Sequence, residues 1–176
     1  MKKIIAYFFL TCCLTACQLP QVTTHHMKNQ FDVQLAEKLM KKGNNSIVGN
    51  AFFRQRGGGV VTCAGSEVLL IPETAYSKER MRILYKMNEN GANVNYFSYY
   101  NFIPTPPEYY KLIKRTVCDS SGHFKFDNIT DGSFFVSVLI SWETPSGRYM
   151  TVKNGGALMK EVKVQGGEKK EIIMTP

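Results

Sequence analysis

The sequence predicts a mainly β protein, an antiparallel Greek-key β-sandwich with a short N-terminal helix and a helix-containing aromatic insertion. Three observations predict it. The second half alternates apolar and polar residues in short runs, turn signals such as Asp131-Gly132 separate these runs, and 176 residues are enough to bury one core. We therefore expect one sandwich domain over residues 46–176, interrupted by an insertion over residues 73–112.

The first 16 residues have the features of a bacterial secretory leader. Lys2 and Lys3 precede an apolar run, residues 4–14, that is too short to span a membrane as a stable helix. The order Leu14-Thr15-Ala16-Cys17 that follows resembles the lipobox of bacterial lipoproteins. The resemblance implies cleavage before Cys17, a diacylglycerol on its sulfur and a further acyl chain, such as palmitate, on its amine. A plain secretory leader in which Cys17 is incidental is the alternative.

The residue after the cleavage site bears on the location of the protein. In Gram-negative bacteria an aspartate after the lipidated cysteine tends to retain a lipoprotein in the inner membrane, and this chain has Gln18. The resemblance therefore implies a lipid anchor in the outer membrane and a domain that faces the periplasm. Removal of the leader lowers the net charge from +8 to +6. In this compartment we expect no nucleic-acid partner, and the scattered lysines indicate solvated faces or weak attraction to anionic lipid or polysaccharide.

The segment before the sandwich has two parts. Residues 17–28 are polar and aperiodic, which predicts a tether, and the adjacent His25 and His26 lack the fixed geometry of a metal site. Within residues 29–45, apolar side chains recur at helical spacing, which predicts a short amphipathic helix. Its apolar stripe either packs on the domain or recruits a partner.

The first strands follow the helix. A period of two predicts a strand over residues 46–54, and three glycines, residues 57–59, then predict a turn. A phosphate-binding loop is excluded because no Gly-Lys-Ser/Thr ending and no helix follow these glycines. Residues 60–63 and 67–71 continue as strands, and Pro72 ends them.

The insertion begins with a helix and continues with many aromatic residues. Ser77 is the predicted cap of a helix that ends at Tyr85 or Met87. Two interpretations of the aromatic residues remain open, a loop folded over one end of the sandwich or a surface that stacks on sugars. The candidate ligand-binding residues are Tyr96, Tyr99, Tyr100, Tyr109 and Tyr110.

The longest strand of the second half is apolar on both sides. One side carries Phe134, Val136, Val138, Ile140 and Trp142. The other side carries Phe135 and Leu139, so we expect a strand in the interior of a sheet that is covered on both faces. Residues 148–152, 158–164 and 170–174 supply the remaining predicted strands, with glycine pairs between them.

The second half also contains a spaced motif. It reads Asp119-x-x-Gly122-x-Phe124-x-Phe126-x-x-Ile129-x-Asp131-Gly132-x-Phe134-x-Val136, and Ile47-x-Gly49-x-Ala51-Phe52 precedes it. This pattern resembles the signature of carboxypeptidase regulatory-like domains. The resemblance implies a transthyretin-like sandwich over residues 46–176 and a domain that is usually non-catalytic. It implies little about function, because such domains accompany many activities.

The cysteines have separate expected roles. Cys12 and Cys13 leave with the leader, and Cys17 is the expected lipidation site. Cys63 and Cys118 remain together in an oxidising compartment, which favours a disulfide. A metal site and two free buried thiols are the alternatives, and the lack of histidines at ligand spacing argues against zinc.

The sequence contains no recognisable catalytic motif. It lacks the histidine and glutamate spacings of zinc hydrolases and the Gly-x-Ser-x-Gly of serine hydrolases. His123 follows a turn, and Asp119, Asp127 and Asp131 suit turn formation better than calcium binding. We therefore expect a non-enzymatic module without metal or cofactor. It either binds a carbohydrate such as peptidoglycan through the insertion, or offers a sheet edge or its N-terminal helix to an envelope protein.

Overall fold

Two β-sheets pack face to face in the computed structural model, which describes residues 22–55, 57–86, 90–94 and 99–176. The leader, Cys17 and Tyr96 lie outside these ranges. The helices within them are α1 (Val33–Met40), α2 (Ala75–Tyr85) and α3 (Pro107–Lys111). The strands are β1 (Val22–His26), β2 (Lys42–Arg54), β3 (Val60–Thr62), β4 (Glu67–Pro72), β5 (Asn90–Asn93), β6 (Tyr99–Ile103), β7 (Lys114–Val117), β8 (His123–Ile129), β9 (Gly132–Ser146), β10 (Met150–Val164) and β11 (Lys169–Met174). None of the helices described is long and apolar enough to cross a membrane.

The larger sheet has the strand order β5-β10-β9-β4-β7, and every neighbouring pair in it is antiparallel. The second sheet is built on β2, which pairs with β8 and β3 in antiparallel fashion and with β11 in parallel. A separate ribbon consists of β1 and β6. The predicted fold class, a mainly β antiparallel sandwich with an N-terminal helix and a helix-containing insertion, is confirmed.

The inner cluster of apolar side chains fills the space between the two sheets. Phe134, Val136, Val138 and Ile140 enter it from the larger sheet, and Ile47, Phe124 and Phe126 enter it from the second sheet. Gly49 lies directly under the ring of Phe124, where a Cβ atom would come within 2.2 Å of the ring carbons. A larger residue at position 49 would therefore displace the aromatic core of the second sheet.

The outer cluster covers part of the opposite face of the larger sheet. Its members come from the helices, their flanking segments and the sheet itself: Phe31, Ala36, Ile71, Tyr76, Met81, Tyr85, Tyr109, Ile113, Phe135 and Met159. The two-sided burial predicted for β9 is therefore confirmed at Phe135, which is fully buried. It is wrong at Leu139, which is 48% exposed because the outer cluster does not extend that far along the strand.

The predicted N-terminal helix is shorter than expected and packs on the domain. It begins after Asp32, whose carboxylate accepts a hydrogen bond from the backbone N–H of Leu35, and the chain enters β2 at Lys42. Ala36 and Leu39 are buried against the two clusters. The apolar stripe of α1 is therefore used within the domain.

The predicted tether is partly a strand. Residues 22–26 form β1 and pair in parallel with Tyr99–Ile103. The prediction of a tether over residues 17–28 is therefore wrong for residues 22–26. The prediction failed because β1 contains no apolar periodicity: most of its side chains face solvent, and its backbone is held by a strand more than 70 positions away.

Two further boundaries differ from the prediction. The N-cap of α2 is Thr74 and not Ser77, which is the third helical residue and completes a capping box with Thr74. Residues 150–164 form one strand instead of two, and Gly155 lies inside it. A Cβ atom at Gly155 would come within 2.0 Å of the Ile140 carbonyl oxygen, so glycine allows the close approach of β10 to β9.

The predicted disulfide is confirmed. Cys63, just after β3, is bonded to Cys118, just after β7, with 5.8 Å between their Cα atoms. Both residues are buried in the inner cluster. The bond closes a loop that contains the whole insertion, and the two cysteines are 55 positions apart in the sequence.

Removal of this bond should lower the free energy of unfolding by about 4 kcal/mol, the chain-entropy value for a loop of this size. Urea unfolding of the oxidised protein and of the Cys63→Ala/Cys118→Ala variant measures the difference. A Lys125→Ala variant, which changes an exposed residue and keeps the bond, is the control. Equal unfolding midpoints for the oxidised protein and the double variant would contradict the prediction.

Candidate functional site

A buried arginine organises the insertion. Arg80 of α2 is only 7% exposed, and its guanidinium carbon lies 4.0 Å from the ring centroid of Phe102 and 4.6 Å from that of Tyr109. The guanidinium also donates hydrogen bonds to the hydroxyl oxygens of Tyr76 and Tyr110, each with a nitrogen–oxygen distance of 3.2 Å. Among the residues described, no carboxylate pairs with Arg80. The aromatic rings therefore stabilise this charge and join α2 to β6 and α3.

Tyr109 belongs to the outer cluster. It is 3% exposed, and its ring makes edge contacts with the rings of Phe31 and Tyr76 at centroid distances of 5.5 and 5.3 Å. Burial raises the pKa of its hydroxyl. The prediction that Tyr109 contacts a ligand is therefore corrected: its ring is part of the core, and a sugar cannot reach it.

The other predicted tyrosines have different positions. Tyr110 is 50% exposed, and its hydroxyl oxygen accepts a hydrogen bond from Arg80. Tyr100 is half-buried, and its ring stacks with that of His25 at 5.7 Å. The backbone of Tyr99 pairs with Val22, and Tyr96 lies outside the described residues. The structure thus leaves Tyr100 and Tyr110 as aromatic side chains of this set with accessible surface.

A groove of about 560 Å³ lies between β1 and α2. We call it the β1–α2 groove. Its lining residues are His25, His26, Lys28, Asn29, Ala75, Lys78, Glu79, Arg82 and Ile83. Because the ring of His25 also stacks on Tyr100, the groove adjoins one of the accessible tyrosines of the predicted set.

Glu79 holds the N-terminal segment against α2 and so shapes this groove. Its carboxylate accepts hydrogen bonds from the backbone N–H groups of Lys28 and Asn29, each with a nitrogen–oxygen distance of 2.9 Å. It also accepts one from the side-chain amide of Asn29 at 2.8 Å. Burial opposes ionisation, but these donors lower the pKa of Glu79 below its ordinary value. The only carboxylate of the lining is therefore ionised and already bound to three donor groups.

The remaining polar groups of the groove are mostly donors. Lys78 is paired with Glu73 at 2.8 Å and with Glu161 at 3.7 Å, and its hydrogen bond to Glu73 raises its pKa. Lys28 is exposed, and within the described residues the Nε2 atom of His25 is buried without a hydrogen-bond partner. Imidazole, ammonium and guanidinium groups in one groove suit a ligand that is rich in acceptor oxygens.

The turn-forming role predicted for the aspartates is confirmed at Asp119 and wrong at Asp127, which lies inside β8 and pairs with Lys125 at 2.9 Å. The Asp119 carboxylate accepts hydrogen bonds from the backbone N–H groups of Ser121 and His123, and the N–H of His123 above all lowers its pKa. Asp131 accepts from the Asn45 amide. In the described part of the chain, no three His, Cys, Asp or Glu residues come together as ligands for a metal ion.

A second depression, of about 300 Å³, lies where the larger sheet is left uncovered. Its lining residues are Ser66, Glu67, Leu69, Ser137, Val138, Leu139 and Ala157. No aromatic ring and no cationic side chain lines it, so its chemistry differs from that of the β1–α2 groove.

Sequence reasoning missed the groove. Glu79 and Lys28 are 51 positions apart, and neither stands in a motif. The histidine pair of residues 25 and 26 was the one available signal, and it was assigned to a flexible arm. Only the pairing of β1 with β6 brings these imidazoles beside α2.

Comparison with solved structures finds the same fold in a crystal structure of a proposed carbohydrate binding protein from Pseudomonas aeruginosa. The TM-score is 0.69 at 20% sequence identity, and the alignment covers 84% of this chain and 99% of that chain. No family model and no curated protein matches the chain. The similarity shows the sandwich fold, and the resemblance to carboxypeptidase regulatory-like domains stays a prediction.

The different placements of Tyr109 and Tyr110 predict different effects of substitution. Tyr109→Ala removes a buried ring and should lower the free energy of unfolding by about 3–5 kcal/mol. Tyr110→Ala removes a half-exposed ring and one hydrogen bond, so it should cost about 1 kcal/mol. Urea unfolding of the two variants measures both values. Equal losses would show that the two rings do not differ in burial.

Glu79→Gln should loosen the segment around Lys28 and raise the hydrogen-exchange rates of the Lys28 and Asn29 amides. The pKa of Glu79 is lowered in the folded protein from an ordinary value of 4.5. Its contribution to stability is therefore present above pH 4.5 and is lost as the pH falls through the folded-state pKa. The stability difference between wild type and Glu79→Gln should shrink on acidification. Glu171→Gln, at an exposed position, is the control, and a difference that persists in acid would contradict the assignment.

Proposed function

We propose that this protein is a non-enzymatic, lipid-anchored binding module of the bacterial envelope and that its ligand is a glycan. The observation that carries the proposal is the β1–α2 groove, which gathers polar donors beside an accessible tyrosine. Sugars offer many acceptor oxygens to such donors and an apolar face to an aromatic ring. The fold shared with a proposed carbohydrate binding protein supports this choice of ligand class.

The charge of the groove favours glycans with acidic substituents. Its one carboxylate, Glu79, is engaged with the protein's own backbone, whereas the Lys28 ammonium is exposed at the groove. An acidic group on the ligand would meet a cation without facing an unpaired anion. Binding should then weaken as the salt concentration rises.

The envelope location is part of the same proposal. The order Leu14-Thr15-Ala16-Cys17 and the following Gln18 support a lipid anchor at Cys17 in the outer membrane, with the domain in the periplasm. The buried Cys63–Cys118 disulfide is consistent with folding in an oxidising compartment.

Scaffolding is the second candidate function, and the uncovered part of the larger sheet favours it. Leu139 lines the 300 Å³ depression, and Val117 is exposed on β7, the edge strand of the same sheet. An envelope protein could pack on this apolar surface or add a strand to its edge. The two functions use different surfaces, so substitutions can separate them.

Binding of the mature protein to soluble peptidoglycan fragments and to neutral and acidic polysaccharides tests the proposal. Lys28→Ala should weaken glycan binding about tenfold or more, since a hydrogen bond to a charged group contributes about 1.5–3 kcal/mol. Its backbone N–H still binds Glu79, so the groove should keep its shape. Lys163→Ala, which removes an exposed lysine from β10, is the matched control.

Two outcomes would contradict glycan binding in the groove. One is the absence of binding to every glycan tested. The other is a pair of results in cells: Leu139→Ser abolishes the function of the protein, and Lys28→Ala leaves that function as in wild type. This pair of results would favour the scaffolding surface instead.

A further inference from the structure

The ribbon of β1 and β6 has two different faces. Its inward face carries His25 and Phe102, and Phe102 is buried under Arg80. Side chains alternate along each strand, so the residues between them point away from the domain. We call Val22, Thr24, Asn101 and Ile103 the outer ribbon face, whereas His26, at the end of β1, lines the β1–α2 groove.

The outer ribbon face is exposed and contains no acidic residue. Val22 is 61% exposed and Ile103 43%, and all four side chains of the face are exposed to solvent. Neither β1 nor β6 contains an aspartate or glutamate. Covering this face therefore removes apolar surface from water without burying a carboxylate.

The ribbon is rigidly joined to the domain at the end of β1. The backbone N–H of Met27 donates a hydrogen bond to the Ile103 carbonyl oxygen at 2.8 Å. The backbone N–H groups of Lys28 and Asn29 then donate to the Glu79 carboxylate. Phe31 then enters the outer cluster. The position of Val22 relative to the domain is therefore fixed by these contacts.

The chain between the anchor and the ribbon is short. Val22 follows Cys17 by five positions, and an extended chain advances by at most about 3.6 Å per residue. The Cα atoms of Cys17 and Val22 can thus be no more than about 18 Å apart. A lipid on Cys17 would hold this end of the domain within the headgroup region or directly above it.

We infer that the outer ribbon face lies against the phospholipid headgroups of the membrane that holds the Cys17 lipid, an inference that rests on the lipid anchor of the proposed function. Among the described residues, Val22 on this face follows the anchor most closely along the chain. The face offers apolar and uncharged polar groups to the interface.

The test uses the full lipidated protein in vesicles of phosphatidylethanolamine and phosphatidylglycerol. Asn101→Cys or Thr24→Cys places one reactive thiol on the outer ribbon face, because Cys63 and Cys118 are bonded and Cys17 is acylated. Lys125→Cys places the thiol on the exposed face of the second sheet, across the sandwich, as the matched control. A fluorophore at each position is then quenched by lipids with spin-labelled headgroups.

Quenching should be several-fold stronger at positions 101 and 24 than at position 125. A flexible Gly/Ser linker of about 20 residues, inserted before Val22, has a root-mean-square length of about 25 Å and should reduce the quenching at position 101. Equal quenching at all positions, or quenching that the linker does not change, would overturn the inference and leave the anchor intact. A mass spectrum without lipid on Cys17 would instead contradict the anchor itself, and the inference with it.

Discussion

Strand β9 has large apolar side chains on both faces at Phe134 and Phe135, so both faces of the sheet must be covered there. Phe134 points into the inner cluster and Phe135 into the outer one, and each buried ring contributes about 1.5–3 kcal/mol. The second sheet covers the first face. The second face requires another layer, which α1 and the insertion supply. The architecture is therefore a sandwich with a partial third layer, and that layer ends before Leu139.

The third layer is held together by contacts with Arg80. A guanidinium between the rings of Phe102 and Tyr109 joins α2 to β6 and α3, and no described carboxylate neutralises it. Its flat, weakly hydrated charge suits this position, whereas a lysine ammonium would keep the charge and lose the stacking. The ribbon of β1 and β6 is fixed to α2 through the same contact, so the β1–α2 groove depends on it as well.

Much of the sandwich could be predicted from local pattern, because half-buried strands alternate and turns need particular residues. The strands and turns between Asp119 and Val136 were predicted correctly, and Cys63 and Cys118 were paired by elimination. The candidate site was predicted less well. β1 is held by a distant strand and has no periodicity of its own, so His25 and His26 were assigned to a tether. Tyr109 and Tyr110 are adjacent and chemically identical, and only tertiary contacts decide that one is buried and the other is not.

The Cys63–Cys118 bond also affects how this protein can change over evolution. The chain between the two cysteines runs out through β4, forms the insertion and returns through β7, which pairs with β4. Both ends of the insertion are therefore fixed independently of its length. Loop closure becomes only about 0.6 kcal/mol less favourable when a loop doubles in length. Residues can thus be added to the loops of the insertion while the sandwich remains stable, which makes these loops the part of the chain where a new binding specificity can arise at least cost to the fold.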